Sequence, residues 1–400
     1  MTDTFERARA AALHPVATLI VSTLSITLGS LPVFLVGALA VFIRPELDFS
    51  ESRLGALATI YYLLSASLTW AGGKIAERLG GPRAMALAAA LSFVSSIGIG
   101  LVARSWFSLA VCLAIAGAGN GLAYPASNLS LARGIPIARQ GVAFGVKQSS
   151  ALYATLVAGA SVPLIGATIG WRWAFAFAAA GAVPIMAGYG IKQRVATRER
   201  GTDVHVERGP VWVMSAGAFF AVYATASLGS FYVESAVAKD VSASLAGSLL
   251  AMGSILGVAG RIGWGWFGDR RQDLHFVIVP ILLGTGAVAF ALLGVVDSVP
   301  MLVAATALVF GAGWAWSSLL NFGVIARNPR GPATASGILG TGQFGGGILG
   351  PLTFGFLVES RGYQTAWNVG GISLAMAAAL TFVGGRWLER RNGPIEEETS

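Results

Sequence analysis

Two cations interrupt hydrophobic runs in this 400-residue chain: Lys147 in Gly145-Val146-Lys147-Gln148-Ser149-Ser150, and Arg261 in Val258-Ala259-Gly260-Arg261-Ile262-Gly263. A cation at the centre of a lipid-buried helix costs about 2.5 to 3.5 kcal/mol, so each marks a candidate site. The chemistry they suit is capture of an oxoanion, by Arg through a bidentate fork and by Lys as a point charge. Lys147 lies seven residues beyond Gln140, and Arg261 eight before Asp269. At ~1.5 Å per residue both sit about 10 to 12 Å inside the same boundary. The competing readings are that Lys147 snorkels to the surface and that Arg261 bonds helix carbonyls or the adjoining loop.

Polar stripes could complete such a site. Asn120, Tyr124 and Asn128 recur every four residues, and Tyr223, Ser227, Phe231 and Glu234 follow one another at helical spacing. Each set shares a face that should avoid lipid and line a cavity, or else hydrogen-bond between helices. Trp314 and Trp316 could wall the site or pack. Glu234 is the acid open to a protonation role.

Other chemistries find little support. Cys112 is the single cysteine, and His14, His205 and His275 show no metal-ligand spacing. Gly345-Gly346-Gly347 has no Lys-Ser or Lys-Thr after it, so close helix packing or a bend explains it better than a phosphate cradle. No cofactor, metal, nucleophile–base pair or nucleic-acid partner is expected, and the chain reads as a non-enzyme.

The elements that must position these groups are helices in lipid. The chain is 55% hydrophobic and 12% charged, with apolar runs that exceed the ~18 to 20 residues a bilayer requires. Twelve spans are expected, six on each side of the polar segment Lys192–Pro210. The domains are then 1–191, a linker 192–210 and 211–400. Of the 27 Lys and Arg, only Arg44, Arg53, Arg104, Arg172, Lys239 and Arg361 fall on the side opposite the termini, and Lys147 and Arg261 fall within spans. By the positive-inside rule both termini are cytoplasmic, in the plasma (inner) membrane. This explains the net charge of +8 without a nucleic acid. The run after Met1–His14 is too long for a signal-peptide core, so the first span is kept.

The chain also repeats itself. The segment Gly73-Lys74-Ile75-Ala76-Glu77-Arg78-Leu79-Gly80-Gly81-Pro82-Arg83 returns 192 residues later as Gly265-Trp266-Phe267-Gly268-Asp269-Arg270-Arg271. The same offset relates Gly170–Phe175 to Gly362–Trp367, and a nearly equal one relates Gly117–Asn120 to Gly311–Trp314. Three matches in one order mean two homologous halves.

The Gly73–Arg83 segment resembles the loop between the second and third spans of the major facilitator superfamily, with its weaker copy between the eighth and ninth. Gly159-Ala160-Ser161-Val162-Pro163 and Gly346-Gly347-Ile348-Leu349-Gly350-Pro351 also fall where that family is rich in Pro and Gly. The resemblance implies an all-α membrane protein of two pseudo-symmetric six-helix bundles that rock about a central site. It implies gating roles for Gly73, Glu77, Arg78, Gly80 and Arg83, and for Gly265, Asp269 and Arg270. On physical grounds Gly73 would allow close helix packing, and Glu77 and Arg78 would bond neighbouring helix ends as a latch. The alternative is that these cations only anchor the loop.

The resemblance further implies that the fifth and eighth spans line the pathway, so Lys147 and Arg261 would face one cavity and an anion would relieve their repulsion. Arg261-x-x-x-Gly265-x-x-Gly268-Asp269-Arg270 is similar to the eighth span of organic-acid carriers, the monocarboxylate transporters and oxalate:formate exchangers, whose arginine is implicated in holding the carboxylate. Gly257 stands where the former have an aspartate, and Gln343 where the latter have a lysine; Lys147 with Gln148 could substitute. The expected function is a secondary active or facilitative carrier of a small organic anion, a carboxylate above all, by alternating access. Its partners are that anion, the bilayer, and a coupled proton or counter-anion, with the chain a monomer. The alternative is an exporter of drugs or amphipathic metabolites with a mainly apolar pocket; a transport-dead sensor is a third reading.

Overall fold

The fold is that of a computed structural model, which describes residues 15–135, 143, 145–187, 206–271, 274–328 and 331–392. Every regular element among them is helical: α1 Pro15–Ala38, α2 Ala40–Leu47, α3 Glu51–Leu79, α4 Gly81–Ile97, α5 Trp106–Gly134, α6 Ser150–Ser161, α7 Arg172–Met186, α8 Arg208–Val237, α9 Ala243–Arg270, α10 His275–Val295, α11 Val299–Leu308, α12 Trp316–Ala326 and α13 Pro332–Asn392. Short π-helical segments follow α4 (Gly98–Val102), α6 (Val162–Gly166) and α11 (Val309–Gly313).

Nine of the described helices are long and apolar enough to cross a membrane, and Ser150–Gly166 and Arg172–Met186 are shorter apolar helices. α13 is two helices joined at Gly362, whose φ of 81° and ψ of 169° are non-helical and suit glycine. Counted so, the twelve expected spans are present. Met1–His14 and residues 188–205, which include most of the expected linker 192–210, lie outside the described residues. α8 already begins at Arg208, inside the expected linker; Pro210 sits in its first turn, where a missing N–H leaves no intrahelical bond unmade.

The chain packs as two compact units, Met1–Arg198 with Gly229–Ala251, and Glu199–Leu228 with Met252–Ser400. The packing units therefore differ from the halves read from the repeat, because the end of α8 and the start of α9 lie with the first.

In the first unit α5 is the spine. Ser105 caps its start with a capping box to Ser108, which satisfies N–H groups that a helix end would otherwise orphan. Along α5, a Cβ at Gly117 or Gly121 would strike the carbonyls of Tyr61 and Ser65 on α3. Both pairs step by four, so the two backbones touch along one face. The close approach on the α3 side falls on Gly72, where a Cβ would lie 2.6 Å from Gly121 O; at Gly73 the nearest atom is 3.9 Å away. The expectation that Gly73 permits close packing is thus corrected. One residue turns the helix by about 100°, and Gly72 holds the inward register.

In the second unit the glycine-rich run of α13 has the same use. A Cβ at Gly342, Gly346 or Gly350 would strike the backbone of Ser215, Phe219 or Tyr223 on α8. Gly346→Ala should therefore cost about 1 to 3 kcal/mol by overpacking against backbone that cannot yield. Gly340→Ala, where nothing lies within 4 Å of a Cβ, should be neutral. Thermal denaturation of the purified variants checks this; equal stability of the two would refute the backbone contact.

Candidate functional site

Lys147 lies in helical residues 145–148, which a turn at Ser149 joins to α6. It is 2% exposed. Its Nζ donates to Asn128 Oδ1 on α5 (2.5 Å) and lies 4.2 Å from the centroid of the Tyr124 ring. An amide oxygen and an aromatic face both favour an ammonium group. Tyr124 Oη donates to Gln148 Oε1 (3.4 Å), and Ser150 Oγ reaches Lys147 O (2.6 Å) and Thr23 O on α1 (3.2 Å). A snorkelling lysine would expose its amine, and this one is buried.

The structure thus brings Tyr124, Asn128, Lys147 and Gln148 together. Positions 124 and 128 are one turn apart on α5 and present one surface. Asn120, a further turn back, does something different. Its Nδ2 donates to Ser65 Oγ on α3 (2.8 Å), and it packs where a Cβ at Gly29 would sit 3.1 Å from its Oδ1. This is the interhelical bond that a polar stripe can also make.

In the second unit Arg261 is 5% exposed, and its Nε donates to Trp314 O (3.1 Å). Trp314 follows directly on the π-helical Val309–Gly313. π-bulges are frequent at functional sites. The helix that carries Arg261 touches this segment through Gly260, where a Cβ would lie 2.6 Å from Gly311 O. Tyr223 is half-buried, and its Oη accepts from Thr353 Oγ1 (2.6 Å), a bond between α8 and α13. Gln343 is half-buried beside the glycine stripe.

The repeated loop motif has a structural part and a surface part. Gly80 ends α3 with φ 84°, its N–H bonded to Ala76 O (2.9 Å); a residue with a Cβ would be strained there. Arg83 is half-buried, while Glu77 and Arg78 are exposed and pair with no other described residue. Lys74 Nζ lies 3.5 Å from the Trp70 ring centroid, and Arg270 Cζ lies 3.6 Å from that of Trp266. Both repeats therefore set a cation on an aromatic one turn earlier, a pairing suited to a membrane interface. Gly265 and Asp269 fall within α9, and the surroundings of both lie outside what is described.

A model of the Major Facilitator Superfamily matches residues 18–351. The chain belongs to the Major Facilitator Superfamily. It is thus an integral membrane protein of many spans in a family of transporters, not an enzyme. Among curated proteins, the probable sulfoacetate transporter SauU of Cupriavidus necator (strain ATCC 17699) is 28% identical over 136 residues. That match spans 34% of this chain and 31% of the relative's length. Among solved structures, a bacterial homologue of the human lysosomal transporter Spinster shares the fold. Its inward-facing, unoccupied form is 17% identical, covers 95% of this chain and 99% of its own, and has a TM-score of 0.73. The inward-facing, occupied form is 18% identical, with 94% and 98% covered and a TM-score of 0.75.

Within the superfamily fold, the first unit also holds an ionic cluster that the sequence did not disclose. Arg44 on α2 donates through Nη1 to Glu234 Oε1 (2.8 Å) and through Nε to Phe49 O (3.1 Å), and it pairs through Nη2 with Glu51 Oε1 (2.8 Å). Glu234 is 5% exposed. Burial alone would disfavour the guanidinium cation; Glu234 and then Glu51 outweigh that and raise its pKa. Close by in sequence, Glu46 accepts from Trp171 Nε1 and Arg172 Nη2 (both 2.6 Å). Burial alone would raise its carboxyl, but the bonds from Arg172 and Trp171 and the charges of Arg172 and Arg104 hold it below 4.5.

Two outcomes are expected. Glu234→Gln leaves Arg44 with Glu51 alone and should cost about 1 to 3 kcal/mol, less than for a fully buried pair because Arg44 keeps some solvent. A double-mutant cycle with Arg44→Met measures it, and a coupling near zero would dissolve the pair. Glu46 stabilises the fold fully above its unfolded value, and that contribution fades as pH falls through its lower folded value. Glu46→Gln should therefore lower stability at pH 7 and converge with the native chain at low pH; a gap that persists at low pH would contradict the assignment.

Proposed function

We propose that this protein moves a small organic anion bearing a carboxylate or sulfonate across the plasma (inner) membrane by alternating access, with both termini cytoplasmic. The observation that carries this reading is Lys147, an ammonium group buried in an apolar bundle and held on an amide oxygen and an aromatic face. An ammonium group attracts an oxoanion, and the attraction is stronger where the surroundings are of low dielectric. Arg261 supplies a second buried cation in the other unit, with Nε on a carbonyl and a fork suited to planar oxoanions. The partial relative named for sulfoacetate, an organic anion, lends support. Tyr124, Asn128 and Gln148 position Lys147; Asn120 and Tyr223 are assigned to helix contacts that shape the walls. Glu77 and Arg78, exposed at the end of α3, are free to latch one access state.

The test is binding and uptake by the purified chain with acetate, malonate and sulfoacetate, beside neutral sugars and lipophilic cations. An anion at a hundred times its Kd should stabilise the folded chain by about 2.7 kcal/mol. Lys147→Met and Arg261→Ala should abolish that shift and the uptake while the unliganded protein stays folded. Shifts from lipophilic cations alone, unchanged in both variants, would favour the apolar exporter. Glu77→Gln should slow transport without changing anion preference; an altered preference would sink the latch.

A further inference from the structure

The indole of Trp316, the first residue of α12, is 1% exposed, and its Nε1 has no hydrogen-bond partner among the described residues. An indole N–H is a donor only, so nothing but an acceptor can satisfy it. A buried donor without one is uncommon in a native structure and requires a cause.

Other buried polar atoms lack a partner at that atom too, among them Arg133 Nη1 and His275 Nε2, whose side chains make other contacts. Ser22, Thr23, Ser25, Ser95 and Ser130 leave a hydroxyl oxygen unmatched, but a Ser or Thr side chain can turn about χ1 to bring its hydroxyl to a carbonyl one turn back. Asn120 Oδ1 is also unmatched, but it is an acceptor and sits against Gly29. The Trp316 N–H is fixed in the plane of a buried ring and has no such freedom.

Its place in the fold adds the second observation. Trp316 stands two residues after Trp314, whose carbonyl accepts from Arg261 Nε (3.1 Å), and both follow the π-helical break at Val309–Gly313. Gly260 packs on Gly311, and Gly286 on Gly313, so the backbone that presents the indole is pinned from two helices. A fixed donor stands within about a turn of a buried guanidinium's anchor, in a unit that carries a buried cation.

We propose that the Trp316 indole N–H donates to an oxygen of the carried oxoanion, so that Trp316 is a substrate-binding residue of the second unit with Arg261. The proposal rests on the anion reading above and deepens it. The ligand class is one with carboxylate or sulfonate oxygens, because a cation or a hydrocarbon offers the N–H no acceptor.

The experiment replaces Trp316 with 3-benzothienylalanine, which keeps the ring shape and exchanges the N–H for sulfur, in the full-length purified chain. Titration calorimetry with acetate, malonate and sulfoacetate is compared with the native chain and with Trp316→Phe. The expected result is that the isostere weakens binding of the preferred anion about tenfold, as for loss of one hydrogen bond to a charged group. The unliganded isostere should melt no lower than the native protein. If the isostere binds as tightly as the native chain, Trp316 only packs and the proposal falls while the anion reading stands. If Trp316→Phe weakens binding and the isostere does not, ring volume is the cause and the proposal falls likewise. If the native chain binds none of the three anions, both the reading and the proposal are overturned.

Discussion

Lys147 donates to Asn128 and faces the ring of Tyr124, and the first unit depends on keeping those two residues within its reach. An unassisted cation in lipid costs about 2.5 to 3.5 kcal/mol, so a small error in the register of α5 would expose a large part of that cost. The register is set by backbone contact rather than by side-chain fit. Gly117 and Gly121 seat α5 on the carbonyls of Tyr61 and Ser65, and Asn120, between them in sequence, adds a bond to Ser65. One turn further on, the same face delivers Tyr124, and another turn delivers Asn128. Packing and site are consecutive stretches of one helix face.

The second unit solves the corresponding problem with an interrupted helix. Arg261 satisfies Nε on the carbonyl of Trp314, immediately after a π-helical turn that leaves the regular bonding pattern. Glycines at 260 and 286 lie on glycines at 311 and 313, so the irregular segment is supported by backbone on two sides. In a membrane an irregular backbone is tolerated where protein covers it or a cavity lies beside it. Against α8, Gly342, Gly346 and Gly350 repeat the first unit's device with a longer stripe. The abundance of glycine is an expression of how closely these helices approach.

The sequence discloses what is periodic and local. The repeat at 192 residues, the helices and the buried cations are readable because each leaves a mark within a few residues or at a constant offset. The stripe of Asn120, Tyr124 and Asn128 was also readable as a face, but spacing could not say that its first member binds a helix while the other two hold Lys147. Gly72 and Gly73 are adjacent glycines, and only the rotation of α3 distinguishes the one that packs. Arg44 and Glu234 are separated by 190 residues, and nothing in either neighbourhood names the other. Arg44 stood beside Glu46 and Glu51 as one of several charges at the end of a span, which topology alone explained.

Arg44, half-buried, and Lys147, buried, show how two cations of one unit can serve different ends. Arg44 meets two carboxylates and a carbonyl through three of its nitrogens, so its charge is neutralised by the fold itself, and a mobile anion would have to displace a tethered acid to bind there. Lys147 is held on the amide oxygen of Asn128 and the ring face of Tyr124, which ease its burial. A cation paired within the fold joins elements; under the proposed reading Lys147 instead attracts a counter-charge that the chain need not keep. Coulomb attraction weakens about in proportion to the local dielectric, so under the proposed reading the burial that makes Lys147 costly would also strengthen its pull on an oxoanion. A carrier must also release what it binds. Under the proposed reading, an ammonium on adaptable side chains would meet that need better than a bidentate pair of fixed charges, because water entering the site could replace the anion.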